Sequence, residues 1–102
     1  MEVKITENNQ EITASFIGRL DTPAAAEVNN SIQPILEKAD RRIILECKDM
    51  SYISSSGLRI FLSIRKAAAA KGGKVIVRDI CPDIRQVFMM TGFLNLFEIE
   101  NS

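Results

Sequence analysis

The residues with the most chemical promise are Ser54, Ser55 and Ser56, followed by Gly57, in the run Asp49-Met50-Ser51-Tyr52-Ile53-Ser54-Ser55-Ser56-Gly57-Leu58-Arg59. Upstream, Arg41-Arg42 introduces Ile43-Ile44-Leu45-Glu46-Cys47, a short apolar run bounded by charge that reads as a core strand. Downstream, Leu58, Phe61 and Leu62 open a helical period. The serines therefore fall at or just before a helix N-terminus, where backbone N–H groups lack partners and the macrodipole is positive. A serine at such a place can be an N-cap. It can also hold its hydroxyl out to solvent, where a phosphate would be well tolerated. The local sequence leaves both open.

Catalysis by these hydroxyls lacks its usual supports. The chain has no histidine, which removes the commonest general base, the commonest zinc ligand and every Ser-His or Cys-His pair. A nucleophile elbow needs a glycine two residues before the serine, and Ile53 stands there relative to Ser55. Lys48, the nearest candidate for a Ser-Lys pair, reads as a solvated strand end. The glycines, at 18, 57, 72, 73 and 92, form no phosphate-binding loop, and Gly72-Gly73 reads as a helix stop. The acidic residues are scattered along element edges without metal-ligand spacing, and no cofactor is implied. The sequence thus describes a non-enzyme.

Composition narrows the partners. Thirteen basic residues balance thirteen acidic ones, so nucleic acid is not expected, since phosphate binding needs a basic surplus on some face. Arg41-Arg42 reads as the solvated entry to a strand. No apolar run approaches a membrane span, and Met1-Glu2-Val3-Lys4 has no apolar leader core. The expected location is the cytoplasm, without membrane insertion. Cys47 and Cys81 read as small buried hydrophobes rather than a disulfide.

The elements that must position the serines follow from periodicity. At 102 residues and 46% hydrophobic composition, one domain over 1–102 with one core is expected. Val3 to Glu7 alternates apolar and polar, Asn8-Asn9 supplies a turn, and Glu11 to Ile17 makes the second strand of a hairpin. Gly18-Arg19-Leu20-Asp21 ends that strand in a loop. Thr22-Pro23 starts a helix with Thr22 as cap and Pro23 at the first position, where its missing N–H costs nothing. Val28, Ile32, Ile35, Leu36 and Ala39 give it one apolar face, and Pro34 predicts a kink near residue 30. A strand at 42–48, the serine loop at 49–56 and a helix from Ser55 to Lys71 follow. Lys74 to Arg78 is the fourth strand, Pro82 opens a helix closed by Gly92, and Phe93 to Ile99 is a short edge strand. The order β-β-α-β-α-β-α-β defines an α/β fold with parallel neighbours joined by right-handed crossovers.

In parallel sheets, functional loops gather at the carboxyl ends of strands. The loops at 18–22 and 49–56 both leave strands at that end, so Asp21 and Ser55 are expected to be neighbours. Phosphorylating a serine there adds roughly −1.5 to −2 charges. The helix end would accommodate that charge while a docked partner would be repelled, which suits a switch read by another protein.

The whole chain resembles the STAS family, specifically the single-domain bacterial anti-sigma factor antagonists. Gly18-Arg19-Leu20-Asp21 resembles the family's turn after the second strand. Asp49 to Leu58 resembles its phosphorylation loop, and Gly73 to Val77 with Pro82 and Thr91-Gly92-Phe93-Leu94 resembles its closing segment. The resemblance implies the STAS fold, with a four- to five-stranded mixed sheet and helices. It implies an antagonist that binds an anti-sigma factor acting as a serine kinase, frees a sigma factor, is switched off by phosphorylation, and is reset by a serine phosphatase. By alignment the phosphate acceptor is Ser55, with Ser56 as fallback, and the supporting aspartate is Asp21. The implied docking surface comprises Asp21, Ser54, Ser55, Ser56, Gly57 and Arg59.

The chain departs from the family at three places. Many members carry acidic residues where Arg19 and Ser54 stand and a glycine where Arg59 stands, so the loop here is more positive. An alternative use of the same fold is a non-catalytic structural subunit of a transport or signalling complex, in which Ser55 is only a cap. Met89, Met90 and Phe93, at the end of the last helix, are either core or an adaptable partner surface. Arg65 reads as a solvated charge.

Overall fold

In the computed structural model, which describes residues 1–101, the alternating N-terminal segment folds into a hairpin. Strand β1 (Glu2–Glu7) pairs antiparallel with β2 (Glu11–Leu20). The Asn8 side chain closes the turn by accepting the N–H groups of Gln10 and Glu11, both at 2.9 Å. Helices α1 (Thr22–Ser31) and α2 (Gln33–Glu37) lead to β3 (Arg42–Glu46) and β4 (Met50–Ile53). Then come α3 (Ser55–Lys71), β5 (Lys74–Arg78), α4 (Pro82–Thr91), a 3-10 turn at Phe93–Asn95 and β6 (Glu98–Glu100).

The result is a mixed sheet in the order β1-β2-β3-β5-β6, antiparallel only at β1–β2, with β4 pairing in parallel with β2. The α/β class and parallel crossovers expected from the sequence are present. The sixth strand is the addition. Glu11 to Ser15 of β2 pair with β3, and a bulge between Gly18 and Arg19 hands the last residues of β2 to β4. Gly18 makes this possible with φ +107°, where a side chain would be strained. Gly18-Arg19-Leu20 is therefore strand rather than loop, and β3 stops two residues earlier than expected to leave room for the Cys47–Asp49 turn.

The helices cover one face. Ile12, Ala14 and Phe16 alternate into the core from β2 and meet Val28, Ile35, Phe61, Ile64 and Phe88 from the helices. Phe61 lies 5.3 Å, centroid to centroid, from Phe16 and 6.2 Å from Phe88 in an edge-to-face contact, fixing α3 between the sheet and α4. Among the described residues the other face carries no helix. There Ile44 and Ile76, paired in register, are buried beneath ion pairs of Arg42 with Glu11, Lys74 with Glu98 and Arg78 with Glu100. Glu46 ends this face with its Oε2 buried and unpartnered; burial, then the nearby Asp79, raises its pKa above the ordinary carboxylate value.

Pro34 does more than kink its helix. The chain breaks at Ile32 and restarts as α2, with Pro34 in the first turn of the new helix, where no N–H is required. The last segment also differs from the expected single strand: Phe93–Asn95 is a 3-10 turn, and only Glu98–Glu100 pairs with β5. Cys47 is fully buried, and burial pushes its thiol up out of the reactive range; Cys81 is half-buried and packs against the core. Among the described residues no helix is long and apolar enough to cross a membrane, and no cluster of metal-ligating side chains forms.

Candidate functional site

Two strands hand over to two helices side by side. Leu20, the last residue of β2, pairs with Ile53, the last of β4, and the next residue in each chain segment is a helix cap. Asp21 caps α1, its Oδ1 accepting the N–H of Ala24 at 3.0 Å. This corrects the expectation that Thr22 is the cap and Pro23 the first helical residue: because β2 runs on to Leu20, Asp21 alone occupies the junction, and Thr22 is already helical with Pro23 second. Ser54 caps α3, its Oγ accepting the N–H of Gly57 at 3.1 Å. The Ser54 N–H donates to the Leu20 carbonyl at 2.8 Å, so the two junctions are joined directly. Asp21 and Ser55 thus stand at adjacent helix starts.

The three serines divide their tasks. Ser54 is buried (8% exposed) and its hydroxyl faces inward. Ser55 is the first helical residue and is exposed; Ser56 is half-buried. Gly57 is buried because α3 presses onto the strand ends. A Cβ at this position would lie 2.8 Å from Leu20 Cγ and 2.9 Å from Ile53 Cγ1, closer than real contacts allow. The absence of a side chain at 57 therefore sets how deeply the serine turn sits.

Between α1 and α3 runs an open groove of about 330 Å³, bordered by Thr22, Ala25 and Asn29 on one side and Ser56, Arg59 and Ser63 on the other. Arg59 is exposed at its rim. Beyond the junction, the Arg19 guanidinium sits 4.4 Å above the Tyr52 ring, a cation–π contact between paired strand residues. Neither the groove nor this contact was legible in the sequence. The small residues Ala24-Ala25-Ala26 were the one signal that a second element approaches α1 closely.

The remaining candidates lie elsewhere. Met89 and Met90 are exposed on α4 (57% and 76%), whereas Phe93 is core. Arg65 is not a simple solvated charge: its Nε donates to the Leu96 carbonyl at 2.8 Å, tying α3 to the 3-10 turn.

Comparison with known proteins covers the whole chain rather than this junction alone. The STAS domain model matches residues 1–102. The chain belongs to the STAS domain family. It is 30% identical over 91 residues to BtrV of Bordetella bronchiseptica, covering 89% of this chain and 78% of that one. It is 28% identical over 100 residues to the anti-sigma-B factor antagonist of Bacillus subtilis, covering 97% and 90%. Among solved structures, the phosphorylated form of the Bacillus cell fate determinant SpoIIAA superposes with a TM-score of 0.76 at 19% identity, over 99% of this chain and 91% of that one. At that identity the superposition speaks for the fold: this STAS domain has the SpoIIAA architecture.

Proposed function

We propose that this STAS protein is an anti-sigma factor antagonist whose docking is switched by phosphorylation of Ser55. One observation carries the reading: Ser54 meets the capping requirement of α3 through its bond to the Gly57 N–H, which leaves the exposed Ser55 hydroxyl with no structural task. A hydroxyl at a helix start, free and solvent-facing, is open to a kinase, and the helix end favours the charge it would gain. Support also comes from the B. subtilis relative, an anti-sigma-B factor antagonist, and from SpoIIAA, which has a phosphorylated form.

In this reading the unmodified protein docks through Ser55, Ser56, Arg59 and the rim of the Asp21 turn. The buried Ser54 and Gly57 shape that surface from beneath rather than touching the partner. The partner is an anti-sigma factor that is also a serine kinase, and its docking frees a sigma factor. The Ser55 Oγ attacks the γ-phosphorus of ATP, ADP leaves, and the hydroxyl proton passes to the kinase. The dianion then repels the partner and is hydrolysed off by a serine phosphatase. The protein acts in the cytoplasm as a single domain without catalytic groups of its own. Incubation with the partner kinase and ATP should add one phosphate by intact mass, mapped to Ser55 and lost in Ser55→Ala. A chain that stays unmodified, or is modified equally in the Ala variant, would instead mark a structural subunit or move the acceptor to Ser56.

A further inference from the structure

We infer that Arg59 is a built-in counterion for a phosphate on Ser55, holding the modified side chain along the first turn of α3. The inference rests on Ser55 being the modified residue. Ser55 is the first residue of α3 and Arg59 lies four residues on, both exposed. Residues at that spacing are neighbours on a helix, and an anion followed by a cation four residues later is the favourable orientation. Helical side chains also lean toward the N-terminus, which brings a side chain at 59 within reach of one at 55.

Arg59 is free to do this. Arg41, Arg42, Arg65 and Arg78 each donate to an acceptor and Arg19 is stacked on Tyr52, whereas Arg85, on α4, shares Arg59's lack of a partner but lies on another helix. Among the described residues the Arg59 guanidinium has no ion pair or hydrogen bond. No competing carboxylate shares its element, because α3 contains no Asp or Glu. Asp21, at the neighbouring helix start, accepts the Ala24 N–H through its Oδ1. A guanidinium can give a phosphate two parallel N–H bonds, which a lysine cannot match. Phosphorylation at 55 would then create a partly neutralised, directed group on the first turn of α3 rather than a loose negative charge.

The test needs no kinase. Phosphoserine is encoded at position 55 in the full chain, and the phosphate is titrated by phosphorus NMR at low salt. Its second ionisation, ordinarily near about pH 6, should occur roughly half a unit lower with Arg59 than in Arg59→Gln. Arg59→Lys should fall between them, and added salt should shrink the difference. Equal midpoints in all three proteins would overturn the inference. Because the phosphoserine is incorporated during synthesis of the chain, a shifted midpoint upholds Arg59 even if no kinase modifies Ser55. A Ser55 that is modified in the kinase assay but titrates identically in the three proteins sinks Arg59 alone.

Discussion

At the scale of single residues, the site works by separating two tasks that serine and aspartate often combine. Asp21 and Ser54 hold the helix starts, and in the proposed reading Ser55 is left for chemistry. Asp21→Ala and Ser54→Ala should therefore each cost about 1 kcal/mol, the usual worth of an N-cap, while Ser55→Ala should stay within about 0.5 kcal/mol of the parent. Urea denaturation of the three variants measures this directly, and a larger loss for Ser55→Ala than for Ser54→Ala would reverse the assignment of roles. The residue types at the site were legible in the sequence, but their division was not. Three successive serines have the same capping preference, and the choice among them is made by where β4 ends and by the Leu20 carbonyl that takes the Ser54 N–H. Asp21 displaced Thr22 as cap for the same reason, since the reach of β2 could not be read from Gly18-Arg19-Leu20 alone.

At the scale of elements, the position of α3 depends on contact between its first turn and two strand ends. Gly57 lets that turn approach Leu20 and Ile53. Gly57→Ala should be destabilising by about 1–3 kcal/mol, the range for overpacking a filled core. It should also loosen the serine turn, seen as faster amide exchange at Ser55 and Ser56; unchanged stability and exchange would show that the approach has slack. The bounds of α3 and β5 agree with the sequence expectation because their signals are local: a helical apolar period ending at Gly72-Gly73, then β-branched residues between charges. Strand β4 escaped because Met50-Ser51-Tyr52-Ile53 is short, runs directly into Ser54 and pairs with the end of β2, a partnership no local pattern records. The break between α1 and α2 was half visible: Pro34 announced a disturbance, but only the packing of Ile32 and Ile35, both fully buried, makes the chain restart at once.

At the scale of the whole molecule, the sheet gathers its helices on one face and brings two capped helix starts together at one end. The opposite face is closed by charged side chains over Ile44 and Ile76, so the paired helix starts and the ion-paired face are separate surfaces. Exposed Met89 and Met90 belong to neither junction. Because Ser55 lies on the surface and outside the core, adding charge there should alter docking without altering the fold. The deciding measurement is the affinity of Ser55→Ala and Ser55→Asp for the same anti-sigma partner, by titration calorimetry, with both variants shown to be equally folded. The switch predicts parent-like binding for the alanine variant and binding weaker by tenfold or more, about 1.4 kcal/mol, for the aspartate variant. Equal affinities would contradict it.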